Sequence, residues 1–284
     1  MKKFPSIPRV ANAPDRLLEE GHLWLLEKVD GANVRFQLQQ SGVILFGDRN
    51  RVYEDPDAIP APYQHAVRHI RENLDREALR SAVDTVEDVV FFGEAMHHHT
   101  ISYDWERTPS FLGFGVWSAD AAAFYPFDTV EQIFSRLDLE SVNAFEKECR
   151  ARYFDPDSYM IPQSKWYDGP AEGVIIWNKR GQRAKLLHPE FREVDETVPV
   201  NAPAEELAAK YATRRRFEKL AAKLDDRHQS ATFDKLYERI LEDIVREEHK
   251  KLHHGDTNVD MQTFRSEVAA LTREFLEDRN DVAR

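Results

Sequence analysis

Glu27-Lys28-Val29-Asp30-Gly31-Ala32-Asn33 is the stretch on which the reading of this chain turns. It follows the β-prone run His22-Leu23-Trp24-Leu25-Leu26, so the sequence predicts a strand ending near Lys28 and a tight turn at Asp30-Gly31 into a second strand. A lysine held there presents an amine at a strand end. Gly31 supplies φ freedom for the turn and lets backbone or a phosphate approach with no Cβ in the way. Two readings stand side by side: a nucleophilic lysine, or a plain hairpin with an exposed amine.

Working outward, 284 residues are enough to bury a sizeable core without staples. The single cysteine, Cys149, excludes an internal disulfide framework, and no basic segment followed by an apolar run marks a signal peptide. The expectation is an intracellular, cytoplasmic protein. No apolar run approaches the roughly 20 residues that a membrane span needs. The net charge of -12 divides into -10 over residues 1–199 and -2 over 200–284, so the acid is not a tail. Local basic clusters remain at Arg49 and Arg51, at Lys179, Arg180, Arg183 and Lys185, and at Arg214-Arg215-Arg216, and such clusters set the field at a groove. The arginine triplet reads equally well as a solvated helix face.

Pro5, Pro8 and Pro14 make the first 20 residues a leading arm, with a short helical segment from Asp15 to Glu20. His22 to Glu27, Asn33 to Leu38 and Val43 to Phe46 read as an antiparallel meander. A helix is predicted from Tyr63 to about Val83, with Val67, Ile70, Leu74 and Leu79 near one face. Val89 to Phe92 is a strand buried on both faces that ends in Gly93-Glu94, and Phe111 to Trp117 repeats its character. Asp128 to Leu137 should be a helix, Cys149 lies in helix or loop, and Tyr153 to Gly169 is loop. Val174 to Trp177 and Arg183 to Leu187 form a hairpin around Asn178-Lys179-Arg180-Gly181. After Pro199 the pattern becomes helical, clearest at Phe233 to Val245 and Met261 to Phe275, with breaks near Asp225 to Ser230 and at His254-Gly255-Asp256. Two domains follow, residues 1–199 and 200–284.

At the strand ends stand Lys28, Asp30, Asn33, Arg49, Arg51, Glu94, Glu172, Arg183 and Lys185. One lysine, several carboxylates and several cations suit a nucleoside triphosphate, which needs cations at its phosphates, a carboxylate for a metal ion and another for ribose hydroxyls.

Lys28-Val29-Asp30-Gly31-Ala32-Asn33 resembles motif I of the covalent nucleotidyltransferases, the ATP-dependent RNA and DNA ligases and mRNA capping enzymes. Asp48-Arg49-Asn50 resembles their motif Ia and Phe91-Phe92-Gly93-Glu94 their motif III. Phe111 to Phe114 is similar to the aromatic motif, Glu172-Gly173-Val174-Ile175 to motif IV, and Arg183-Ala184-Lys185 to motif V. The run from Gly93-Glu94 through His99-Thr100-Ile101 to Tyr103 resembles the RNA ligase branch, and helices after Pro199 stand where DNA ligases and capping enzymes carry an OB-fold. The chain departs from the pattern twice: Arg183 replaces the first lysine of motif V, and Gly115 replaces an acidic residue after Phe114.

The resemblance implies an α+β, antiparallel-sheet nucleotidyltransferase domain of ATP-grasp-like ligase type, followed by a small all-helical domain in contact with RNA. It implies an ATP-dependent RNA ligase using Mg2+, or Mn2+ in its place, joining RNA 3′-OH and 5′-phosphate ends. Lys28 would attack the α-phosphorus of ATP to give lysyl-AMP. Neighbouring cations such as Lys185 would favour the neutral amine, because a free lysine of pKa about 10.4 is protonated at neutral pH. AMP would then pass to the RNA 5′-phosphate and leave as the 3′-OH attacks. Glu172 would bind the metal, Glu94 the ribose hydroxyls, and Phe114 would stack on adenine beside Glu27. Arg49, Arg183 and Lys185 would contact phosphates, and Asn33 would orient one.

Asp30 reaches the amine through a metal-bound water or braces the turn. Arg51 is a phosphate contact or a surface residue, and Phe114 a stacking residue or core. His97-His98-His99 alternate faces on an extended segment and do not share one ion easily, so His99 reads as packed or hydrogen-bonded. A capping guanylyltransferase or minimal DNA ligase, and a non-catalytic nucleic-acid-binding module, are the alternatives.

Overall fold

The computed structural model describes residues 1–14, 16–191, 203–253 and 259–282. The chain divides into two compact units, Met1–Val194 and Asp195–Arg284. The boundary expected at 199/200 and the helix break at His254-Gly255-Asp256 lie outside the described residues.

The first unit holds two antiparallel sheets. β1 (His22–Lys28), β8 (Ala144–Arg150), β9 (Gly173–Asn178) and β10 (Arg183–Leu187) form a four-stranded sheet in the order β10-β9-β1-β8. β2 (Ala32–Leu38), β3 (Ile44–Gly47), β4 (Val52–Tyr53), β5 (Val89–Ala95), β6 (Phe111–Ser118) and β7 (Ala123–Phe124) form a six-stranded sheet in the order β4-β3-β2-β5-β6-β7.

The expected meander of the first three strands therefore does not form: β1 and β2 lie in different sheets. β1 is a central strand, paired with β8 on one edge and β9 on the other, and Leu23 to Leu26 are buried on both its faces. Val29, Asp30 and Gly31 carry the chain from one sheet to the other. Gly31 keeps an ordinary φ; its need is close approach, since a Cβ there would come within 2.5 Å of the Ala95 carbonyl oxygen.

β8 is the strand the sequence conceals. Ala144-Phe145-Glu146-Lys147-Glu148-Cys149-Arg150 has no apolar alternation because its middle is exposed, and it pairs with β1 through two register shifts. Cys149 thus sits in an edge strand rather than in helix or loop.

The single helix expected from Tyr63 to Val83 is two helices, α1 (Ala61–Asn73) and α2 (Arg76–Ala82). Leu74 turns to φ -56, ψ 116, and the Asp75 carboxylate caps α2 by accepting the Ala78 N–H at 2.8 Å. The helix expected from Asp15 to Glu20 is replaced by turns over the described residues from Arg16; Asp15 itself lies outside them. α3 (Phe127–Arg136) stands where expected.

On one face of the six-stranded sheet Phe36 stacks on Phe91 at 4.7 Å, with Phe111 and Phe134 edge-on around them. Truncating one such buried ring costs about 3–5 kcal/mol. The leading arm is tied to the unit: Pro8 accepts the Lys185 backbone N–H at 2.8 Å, and the Lys2 carbonyl accepts from the buried Arg35 guanidinium at 2.8 Å.

The described part of the second unit is α4 (Ala204–Tyr211), α5 (Arg214–Asp226), α6 (Phe233–His253) and α7 (Met261–Val282) around Phe217, Leu224, Ile240, Phe264 and Val268. Two members of the arginine triplet serve this packing. Arg216, on α5, pairs with Asp243 at 2.8 Å and Glu247 at 2.7 Å on α6, and Arg214 pairs with Asp278 and Glu218. Lys179 and Arg180 are likewise bound by Glu148 and Glu20, so these parts of the expected basic clusters carry compensated charge. Among the described residues no helix is long and apolar enough to cross a membrane.

Candidate active site

A cavity of about 410 Å³ is lined by both sheets and the leading arm. Lys28 ends β1 at one end of it, and its Nζ holds both carboxylate oxygens of Glu172 at 2.5 Å. Glu172 precedes β9, whose Gly173 is the register partner of Lys28, so the pair is fixed by strand pairing. Burial pushes the Glu172 carboxyl up, against the pull of the Lys28 ammonium. The nearest charged partner of the amine is thus a carboxylate and not the cation expected from the sequence. Lys185 is nonetheless close enough to feel Lys28: burial and then the Lys28 charge lower its pKa.

Across the cavity, Asn33 on β2 and Glu94 on β5 are register partners and both line the wall. Burial pushes the Glu94 carboxyl up to about 8; Lys28 opposes that shift, while Glu172 and Asp30 add to it. Arg49 lines the same space and donates to Ser6 Oγ at 2.9 Å.

Asp30 braces the sheet-to-sheet turn. Its Oδ2 accepts the N–H groups of Thr100 at 2.5 Å and Ile101 at 2.7 Å, its Oδ1 lies 3.3 Å from His99 Nδ1, and its own N–H is donated to Tyr103 Oη at 2.7 Å. Burial pushes the Asp30 carboxyl up, but the hydrogen bonds from His99, Ile101 and Thr100 outweigh it and hold the group below the usual aspartate value. His99 is thus hydrogen-bonded, as the alternation of the histidine run suggests, and among the described residues no cluster of three or more His, Cys, Asp or Glu could hold a metal ion.

Phe114 lines the cavity beside Phe4, which neighbours Trp177, whose partner Trp24 is four strand positions from Lys28, while Phe111 is wholly buried. The pairing of β5 with β6 slips here, Phe92 opposing Gly115 and Gly93 opposing Gly113, so Phe114 is the extra residue of a β-bulge. The bulge turns its ring into the cavity. Glu27 lines the cavity too, but its carboxylate accepts from Ser164 Oγ at 2.5 Å, from the Lys165 N–H and from Asn143, and burial raises its pKa.

Arg183, expected at phosphate, and Arg51, read as phosphate contact or surface residue, both lie outside the cavity lining. Arg183 is not part of the cavity wall; it is buried with its guanidinium 3.7 Å from the Trp177 ring centroid, 4.7 Å from Phe4 and 5.0 Å from Phe124, and burial lowers its pKa to about 10. Arg51 is exposed and works through its backbone, its N–H donated to Asp48 Oδ1 at 2.7 Å. The sequence reading missed Phe4, Ile7 and Tyr63, all of which line the cavity. Phe4 and Ile7 lie in a proline-rich arm and Tyr63 in a helix, where no strand-end pattern marks them.

The RNA ligase family profile matches residues 21–188, well over half of the chain. Among solved structures the chain is similar to an archaeal ATP-dependent RNA ligase (16% identity, TM-score 0.50, 98% of this chain and 65% of that one). It is also similar to the Naegleria gruberi RNA ligase with PPi (17% identity, TM-score 0.52, 69% and 58%) and to a mutant of that enzyme with ATP and Mn (15% identity, TM-score 0.52, 67% and 57%). The chain spans about two thirds or less of the length of these proteins. No curated protein sequence matches it. With this profile covering both sheets, the chain belongs to the RNA ligase family.

Proposed function

We propose that this protein is an ATP-dependent RNA ligase that joins RNA 3′-OH and 5′-phosphate ends through lysyl-AMP on Lys28. The observation that carries the reading is that Lys28, Asn33, Glu94 and Phe114 line one nucleotide-sized cavity, with Phe114 beside Phe4, which neighbours Trp177, and Trp177 four strand positions from the partner of Lys28. Adenine would stack on Phe114, the ribose hydroxyls would meet Glu94, and the α-phosphorus would lie at Lys28. Lys185 and Arg49 line the same wall and would neutralise the phosphates. Arg183, sequestered beneath aromatic rings, would have no part in that contact.

Glu172 holds the amine in the free protein; attack requires the ammonium to give up a proton, for which the adjacent Glu172 carboxylate is the nearest acceptor, and the pair to separate, the Nζ–P bond then forming as the bond to diphosphate breaks. Once released from Lys28, Glu172 would be the carboxylate that holds a Mg2+ or Mn2+ ion together with substrate phosphates, and the ion would supply charge neutralisation when bound. Asp30 would keep Lys28 at the cavity mouth through its bonds to Thr100 and Ile101. The helical second unit would contact RNA.

Incubation with labelled ATP or GTP and Mg2+, followed by a denaturing gel, tests the reading. Label retained from ATP supports it, whereas label from GTP alone would make the protein a guanylyltransferase. Sealing assays on nicked and single-stranded RNA then identify the substrate class.

A further inference from the structure

The aromatic end of the cavity is completed by a residue from outside the two sheets. The Phe4 ring lies 5.2 Å from Phe92 and from Phe124 and meets Phe114 edge to face at 4.9 Å and 74°. From the other sheet, the Arg183 guanidinium stands 4.7 Å from its centroid and is itself stacked on Trp177. A Cβ at residue 115 would come within 2.8 Å of Phe4 Cε2, so glycine there leaves the space that the ring fills. The two positions at which the motifs depart from the family pattern, Gly115 and Arg183, therefore touch the same side chain.

The arm bearing this ring is fixed along its length. Lys2 is tied through its carbonyl to Arg35, Ser6 through its hydroxyl to Arg49, and Pro8 through its carbonyl to the Lys185 N–H. Two of those partners, Arg49 and Lys185, line the cavity. Phe4 is thus held against the base end of the site by groups that belong to its phosphate end.

We propose that Phe4 is a positioning residue of the base slot: seated on Arg183 and in the space left by Gly115, it fixes the tilt of Phe114 and closes the far end of the cavity. This rests on the reading that the cavity takes ATP with its base at Phe114. Without the ring, Phe114 loses the edge that orients it and the slot lengthens. Trp177, under Arg183, is the register partner of Trp24, four positions before Lys28 and about 13 Å along the strand, so the reacting amine is left undisturbed. The arginine in motif V then serves as an anchor for the arm, and Lys185 alone of that pair faces phosphate.

The test is the ATP dependence of lysyl-AMP formation in Phe4→Ala, Phe4→Leu, Gly115→Ala and the Phe4→Ala/Gly115→Ala double variant, with thermal unfolding of each. The expected result is a KM for ATP raised about tenfold or more in each single variant, a maximal rate within about threefold of the parent, and a double variant no worse than Phe4→Ala. Phe4→Leu retains apolar volume without a ring, so it carries the test where Phe4→Ala is too unstable to assay. A KM within about twofold of the parent in both Phe4 variants, with loss confined to melting temperature, would make Phe4 a packing residue and overturn the proposal, as would effects at Phe4 and Gly115 that simply multiply. Failure of the parent protein to form any adenylate would instead contradict the lysyl-AMP reading itself.

Discussion

The two ends of the cavity are built differently. The polar end is made by short, continuous segments at strand ends: Lys28 leaves β1, Glu172 enters β9, and Asn33 faces Glu94 across β2 and β5. The aromatic end is assembled from a β-bulge at Phe114, a proline-rich arm carrying Phe4, and Arg183 buried among rings. In the proposed reaction, chemistry at the polar end would depend on strand register, which hydrogen-bonded ladders fix. Recognition at the aromatic end would depend on packing between elements remote in sequence, which can be tuned without moving Lys28.

Substitutions should separate the two ends. The largest effect is expected at the polar end: Lys28→Ala should abolish adenylate formation, by at least about 1000-fold, with the fold intact by circular dichroism. At the aromatic end Phe114→Ala should raise KM for ATP roughly five- to hundredfold, the range expected for loss of one base–aromatic stack, with a smaller change in maximal rate. An equal fall in maximal rate would mean that the two ends do not act independently.

Asp30→Asn keeps an acceptor for Thr100 and Ile101 but removes its charge, and it should lower unfolding free energy by about 1–2 kcal/mol in a denaturant titration. An effect of similar size, read as a pH slope, is expected at Glu94. Its folded pKa of about 8 lies above the ordinary value of 4.5, so between those values the native protein binds more protons than the unfolded chain. Stability of the free protein should therefore fall as pH rises from about 5 to 8, by on the order of 1–2 kcal/mol once the openness of the cavity to solvent is allowed for, and Glu94→Gln should flatten that slope.

The same contrast explains what the sequence revealed. Strand identity at β1, β2, β5, β6, β9 and β10 was readable from their apolar runs, and the polar residues that interrupt or flank those runs include Lys28, Asn33, Glu94, Glu172 and Lys185. Sheet membership was not readable: Asp30-Gly31 looks like a hairpin turn, yet β1 pairs with β8 and β9 and β2 with β3 and β5. β8 was hidden because an exposed edge strand needs no apolar alternation. Arg183 suggests phosphate by its charge, while in space it packs on Trp177, its partner across the β9–β10 hairpin, and on Phe4 and Phe124 from two distant segments. Arg214 and Arg216 were ambiguous in sequence because their carboxylate partners include residues on α6 and α7.

The central claim is a covalent bond between AMP and Lys28. Peptide mapping by mass spectrometry after incubation with ATP and Mg2+ tests it most directly. The lysyl-AMP reading predicts a single adenylylated peptide whose modified residue is Lys28, absent from Lys28→Ala protein. AMP on Lys185 or another lysine, or an adenylate of equal yield in Lys28→Ala, would contradict it.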